Sequence, residues 1–359
     1  MIKMAHWVDI KLLGEKESSM GIWVTTNTGF RSFLSDRIGY KSGLALNNTE
    51  MIELLDSNDP LFDIFKKQNE ELVRIRTDHI EDTFQIMLYR LGVTTQEFVG
   101  HAPTMLDMEF MHSPNKRALF KKVLKQLGET HFDQGKNSIF DDFDEEAYYE
   151  YIQLNLGVEA LEIAHRLVSL TKESEEASPW DWLSARVTEW QSPIELKELF
   201  ESESLDAMYG TFLDQRYINY LASNSDKLST MHWRKFEALT AEYFERKGYK
   251  VQIGSGRNDG GIDVRVWSKD SEFVHPPVQL IQCKRTKSKI DKVLVKSLWA
   301  DVVDESAKGG LIVTTSSFSP GASEVCKVRN YPIREAGRKT VTQWLNELRK
   351  TGKGVFMGE

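Results

Sequence analysis

Residues 256–266 read GRNDGGIDVRV and residues 279–285 read QLIQCKR, and the relation between these two stretches decides the fold of the C-terminal part. IDVRVWS alternates, with Ile262, Val264 and Val266 facing one way and Asp263, Arg265 and Trp267 the other, which is the period of a strand. GRNDGG before it reads as a turn, where Gly260 and Gly261 let the backbone bend tightly and approach a ligand. The polar, proline-bearing DSEFVHPP connects to a second strand, VQLIQCK, on which Gln282 and Lys284 share one face and Cys283 points to the other. If the two strands are neighbours, Asp263, Gln282 and Lys284 converge at one edge of a sheet. A carboxylate and an amide oxygen, with backbone oxygens and waters, suit a hard cation such as Mg²⁺. A lysine beside them can position water and offset charge on a scissile phosphate.

Upstream, HWRKFEALTAEYFERKGY places Phe236, Leu239, Tyr243 and Phe244 on one helical stripe closed by Gly248. Glu237, one turn into that helix, is a further candidate carboxylate. Each residue alone has a plainer reading: Asp259 as a turn or cap residue, Lys284 as a solvated strand-end charge, Glu237 as a surface helix residue. Cys283 reads as a small buried side chain, because no nearby His or Asn would activate it as a nucleophile. The reading rests on the combination of a helix Glu, GIDV, a connection and QCK.

Composition sets the frame. The chain has 359 residues, 40% hydrophobic and 28% charged, a length that suits two or three domains. No stretch approaches the run of apolar residues a membrane span needs, and the charges inside MIKMAHWVDIKLLGEKE argue against a signal peptide. Cys283 and Cys326 have no CxxC partner, which argues against a disulfide scaffold or structural zinc site and fits a reducing cytoplasm. The net charge of -8 hides an asymmetry, since residues 231–359 hold 23 Lys+Arg against 15 Asp+Glu. The remaining residues are strongly acidic, so the basic C-terminal part is the one suited to a polyanionic partner.

Residues 1–50 mix short runs (HWVDIKLL, GIWVTT, GFRSFL) with turn residues and predict a small β-containing subdomain. Residues 51–225 read as mainly helical: 61–91 has helical spacing without Pro or Gly, and PNKRALFKKVLKQLG starts a helix at Pro114. The acidic DDFDEEAYYEY leads into a helix ending near Ser169, TKESEEASP at 171–179 reads as an exposed connection, and two helices are expected within 194–222. LASNSDKLST marks a boundary before a domain at 231–359. The histidines of the first part (His6, His79, His101, His112, His131 and His165) are scattered without catalytic spacing. This region reads as a recognition or regulatory part, a surface for a homodimer or another protein partner.

FEALTAEYFERKGYKV, GRNDGGIDVRVW, VQLIQCKR and GLIVTTSSFSPGA together resemble the Mrr-type restriction endonuclease domain of the PD-(D/E)XK nuclease superfamily, over roughly residues 231–350. The resemblance implies an α/β fold whose C-terminal mixed sheet is flanked by helices, preceded here by the mainly helical region. It implies DNA cleavage with Mg²⁺, or Mn²⁺ as a substitute. Asp263 matches the motif's metal-binding aspartate, Gln282 the position usually written D/E, Lys284 its lysine and Glu237 the acidic residue of the first helix. Gln in the middle position is characteristic of the Mrr branch. Arg257, Arg285, Lys287, Lys289, Lys292 and Lys296 are candidate DNA contacts, the last five running from QCK into the next helix as phosphate-positioning groups. The expected function is a Mg²⁺-dependent endodeoxyribonuclease in restriction of foreign or modified DNA. Alternatives are a non-catalytic DNA-binding or assembly module, a repair or junction nuclease of the same fold, and RNA cleavage. No GxxxxGK[ST] loop occurs, so an ATPase would have to come from a partner.

Overall fold

Asn27, wholly buried, ties together the first elements of the chain. It follows β1 (Ile22–Thr26) and opens α1 (Asn27–Ser42), and its amide donates to the carbonyls of Lys67 and Asn69. Its Oδ1 accepts from the Glu71 amide at 3.1 Å. The computed structural model describes residues 22–98, 100–131, 143–177, 193–256 and 261–350. It divides into two units: Met1–Leu34, Met51–Tyr89 and Thr94–Ala185 form one, Ser35–Glu50, Arg90–Val93 and Arg186–Glu359 the other.

In GFRSFL the expected strand is instead part of α1. Phe30, Leu34 and Ile38 recur at four-residue spacing and are all fully buried, a helical stripe that outweighs the local aromatic content. HWVDIKLL lies outside the described residues. After β2 (Leu44–Ala45), α2 (Asn48–Glu53) and α3 (Phe62–Lys66), a second correction appears. The expected helix over 61–91 is broken by β3 (Leu72–Arg76) before α4 (Thr77–Arg90). LVRIR alternates, burying Val73 and Ile75, and β3 pairs antiparallel with β1. The local period of two prevails because β1 supplies a partner.

α5 (Ala102–Glu109), α6 (Pro114–His131), α7 (Glu145–Leu156) and α8 (Val158–Ala177) pack Leu106, Phe120, Val123, Ile152 and Leu167 into one core. The helix starts at Pro114 as expected. α8, however, does not end near Ser169; it runs through TKESEEA to Ala177, with Thr171, Ser174 and Ala177 buried. Nothing in that acidic run breaks a helix, and its small residues face inward while Glu173 stays exposed.

In the second unit, β4 (Ile194–Glu195) pairs parallel with β2 and leads into α9 (Leu196–Glu201). Asp214 caps α10 (Gln215–Ser223) and holds the buried Arg216 guanidinium, which also donates to the Gly43 carbonyl at 3.0 Å. α11 (Trp233–Arg246) carries the buried Glu242, whose Oε2 accepts from the amides of Thr211, Phe212 and Leu213. The sheet follows: β5 (Lys250–Ile253), β6 (Val264–Trp267), β7 (Gln279–Lys284), then α12 (Lys292–Asp304), β8 (Gly310–Thr314), α13 (Pro320–Val328), β9 (Ile333–Ala336) and α14 (Arg338–Leu348). Its spatial order is β5-β6-β7-β8-β9. The first three strands are antiparallel neighbours, and β7, β8 and β9 run parallel through helical connections. Ile262, Leu280, Val295, Leu298, Ile312 and Ile333 fill the core between sheet and helices. The molecule thus has a mainly helical N-terminal region with small sheets and a C-terminal mixed sheet flanked by helices. Among the described residues no helix is long and apolar enough to cross a membrane.

Candidate active site

The pairing that the two quoted stretches required is present. The Asp263 amide donates to the Ile281 carbonyl at 3.0 Å, and Val264 pairs with Ile281, so Asp263 lies across from Gln282. Asp263 Oδ2 accepts from the Cys283 amide at 2.6 Å, which fixes the carboxylate at the mouth of the strand pair. Asp263 and Gln282 are both buried. Gly261 reaches the site with φ at 90°, a left-handed conformation that favours glycine, and a Cβ there would stand 3.2 Å from Gln282 Nε2.

α11 supplies the second carboxylate. Glu237 is buried, hydrogen bonded to the Asp263 carboxyl, and its Oε2 accepts from Arg234 Nη1 at 2.7 Å. Burial first, and the charge of Asp263 second, push its carboxyl up to about 7, while Arg234 opposes both. Two acids that close in a dry site cannot both ionise easily without a cation between them. Gln282 completes the set: its Oε1 is buried and has no hydrogen-bond partner among the described residues. An orphaned buried acceptor costs stability unless a ligand or ion meets it.

Two carboxylates and an amide oxygen suit a hard divalent cation. Among the described residues no group of three or more His, Cys, Asp or Glu side chains could hold a metal ion, and the third oxygen donor at this site is an amide, Gln282. Asp263, Glu237 and Gln282 are the oxygen donors that could hold such an ion. Lys284, two residues beyond Gln282 on the same face of β7, is half-buried. Cys283 donates its thiol to Thr240 Oγ1 at 3.5 Å, and burial, with the charge of Asp263 adding, holds that thiol well above its usual range. Both cysteines are free.

Among the candidate DNA contacts, Arg257 lies outside the described residues, as do Asp259 and Gly260. Lys287, Lys289, Lys292 and Lys296 are exposed, the last two on α12. Arg285 is exposed too, and its Nη1 donates to the Ser229 carbonyl at 2.9 Å. Arg234 was not among the sequence candidates. Its signal was present, since it stands three residues before Glu237, the spacing of neighbours on one helix face.

A family model described as a restriction endonuclease, the Mrr catalytic domain, matches residues 228–345. An Mrr-type restriction-endonuclease domain is present over this part of the chain. The chain is also similar to the uncharacterized protein y4cE of Sinorhizobium fredii (strain NBRC 101917 / NGR234), 32% identical over 141 residues. Those residues are 38% of this chain and 35% of that protein, so the match spans about a third of the relative's length. Among solved structures, the MspJI restriction endonuclease in complex with a 27-mer oligonucleotide is similar at 18% identity, covering 55% of this chain and 44% of that one. The TM-score of 0.27 is too low to show a shared fold.

Proposed function

We propose that this protein is a Mg²⁺-dependent endonuclease that hydrolyses DNA phosphodiester bonds, serving restriction of foreign or modified DNA. The observation that carries the reading is the buried Gln282 Oε1, without a hydrogen-bond partner among the described residues, across the strand pair from Asp263 and its partner Glu237, an all-oxygen set within an Mrr-type domain. A divalent ion bound there supplies Lewis acidity at the phosphoryl oxygen and lowers the pKa of water. The chain's own groups do the rest. Arg234 holds Glu237 by a hydrogen bond and the Cys283 amide holds Asp263, so both carboxylates meet the ion already oriented. Lys284 offsets charge on the scissile phosphate and orients the attacking water. Water adds to phosphorus, one P–O ester bond breaks, and the leaving oxygen takes a proton. The exposed lysines from Lys287 to Lys296 bind backbone phosphates and fix position without reading bases. Residues 1–220 are assigned to selecting or gating the substrate.

The test is cleavage of linear, branched and modified DNA, with RNA as a further arm, in Mg²⁺, Mn²⁺ or EDTA. Asp263→Asn retains a side-chain acceptor for the Cys283 amide but removes the charge. It is expected to lower the single-turnover rate at least about a hundredfold, with the circular-dichroism spectrum unchanged. Equal cleavage by wild type and D263N, or cleavage unaffected by EDTA, overturns the proposal.

A further inference from the structure

The pairing of β7 with β8 does not stop at its last ladder partners, Lys284 and Thr314. Thr314 Oγ1 donates to the Lys284 carbonyl at 2.8 Å. One residue on, Thr315 Oγ1 donates to the Thr286 carbonyl at 2.9 Å and accepts from the Thr286 amide at 3.0 Å. Beyond that the backbone resumes: the Ile290 amide donates to Ser317 at 2.9 Å, and the Ser319 amide donates back to Ile290 at 2.8 Å. The chain from Lys284 to Ile290 is thus fastened along Thr314–Ser319, hydroxyls standing in where the ladder has ended. The fastening strand is itself held, since the Phe318 amide donates to Glu335 Oε1 at 2.9 Å and the Arg338 amide to the Ser316 carbonyl at 3.2 Å.

Thr315 is the centre of this arrangement. It is only 6% exposed, and its single hydroxyl satisfies both backbone groups of Thr286. The segment it fastens presents Lys287 and Lys289 to solvent directly after Lys284. A loop bearing these cations would lose conformational entropy each time it met a phosphate backbone, and a fastened segment has lost it already. We infer that Thr315 is a positioning residue for the nucleic-acid backbone, acting through Thr286 to hold Lys287 and Lys289 in register with Lys284. The inference rests on the proposed nuclease reading.

The experiment uses the full chain and a short fluorescent DNA duplex in EDTA, with affinity measured at several salt concentrations. A Lys287→Ala/Lys289→Ala double variant is carried alongside. Thr315→Val keeps the shape and removes the hydroxyl, whereas Thr315→Ser keeps the hydroxyl. T315V is expected to bind about tenfold more weakly, with a log–log salt slope flatter by roughly two, as if two phosphate contacts were lost. T315S is expected to stay within about threefold of wild type, since its hydroxyl can remake both bonds. A simple loss of folded protein lowers the active fraction without moving the slope. Thr315→Ala reads the same loss should T315V lower the melting temperature. Wild-type affinity and slope in T315V and T315A, while the lysine variant loses both, overturns the positioning role. Equal loss in T315V and T315S overturns it too, because the hydroxyl is then not the cause. If the lysine variant itself binds as wild type does, the proposed phosphate contacts fail and the inference falls with them.

Discussion

Lys284 and the lysines that follow it belong to one short run of sequence, but they differ in exposure, and the proposed nuclease reading gives them different work. Lys284 stands half-buried at the end of β7, two residues beyond Gln282, whereas Lys289 and Lys292 are exposed. One charge among many supplies little of the total phosphate attraction. Lys284→Ala is therefore expected to lower the single-turnover rate at saturating DNA at least about tenfold, with affinity changed less than about threefold. The Lys289→Ala/Lys292→Ala pair is expected to do the reverse. Normal cleavage by K284A at saturating DNA would remove its catalytic assignment. At this scale the sequence was most legible, because strand alternation alone put Gln282 and Lys284 on one face and GIDV placed Asp263 opposite. What spacing could not convey was that Gln282 Oε1 is buried without a hydrogen-bond partner among the described residues, or that Arg234 grips Glu237, since both depend on packing around the strand pair.

Elements misread from sequence were those whose period depended on a distant partner. LVRIR could continue a helix until β1 paired with it, and TKESEEA could be a loop until Thr171 and Ser174 turned inward. The segment before α10 is held in a comparable way from a distance. Three of its amides converge on Glu242, whose Oε1 also pairs with Arg246 at 2.6 Å. Glu242→Ala is expected to cost roughly 3 kcal/mol by urea denaturation, since it leaves three backbone amides without their acceptor and takes the ion-pair partner from the half-buried Arg246. A cost under about 1 kcal/mol would mean those groups find other partners. In the helical unit, His101, just before α5, lies 3.2 Å from Glu81 and 3.7 Å from Asp82 of α4. Burial pushes the Asp82 carboxyl up to about 6, with Asp78, Glu81 and Asp59 adding and His101 opposing. The hydrogen bond to Glu81 raises His101 against its burial, and Asp82 and Asp78 add to the rise. Both folded values lie above the unfolded ones, so the stability these groups contribute is present at low pH and lost as pH rises. For Asp82 the loss runs from about 4 to about 6. Asp82→Asn should therefore gain on wild type in thermal midpoint across that window. A difference that stays flat, or shrinks as pH rises, would contradict the Asp82 environment.

At the scale of the whole molecule, residues ahead of the Mrr-type domain share its compact unit. Tyr217, Ile218 and Leu221 of α10 are fully buried, Gln215 Nε2 donates to the Leu348 carbonyl at 2.9 Å, and the Lys350 amide donates to Asn219. A fragment of residues 186–359 is expected to unfold cooperatively and at higher urea than one of 231–359, which lacks α10 and bares one side of α14. Equal midpoints would show that α10 adds nothing to the domain. Composition forecast the charge contrast between the two parts of the chain, but it could not show a unit assembled from separated segments.

That discontinuity has a consequence for a chain made one residue at a time. β2 pairs with β4, Leu44 beside Ile194, about 150 residues apart in the sequence. During synthesis β2 therefore emerges long before the strand it needs, and the helices of the first unit are made in the interval. Closing so long a loop is costly, and a waiting strand is exposed to the wrong partners. The five-stranded sheet faces no such delay, because its spatial order repeats its order of synthesis from β5 to β9. The five-stranded sheet can thus grow strand by strand at the exit tunnel, while the β2–β4 ladder has to wait for a segment already set aside.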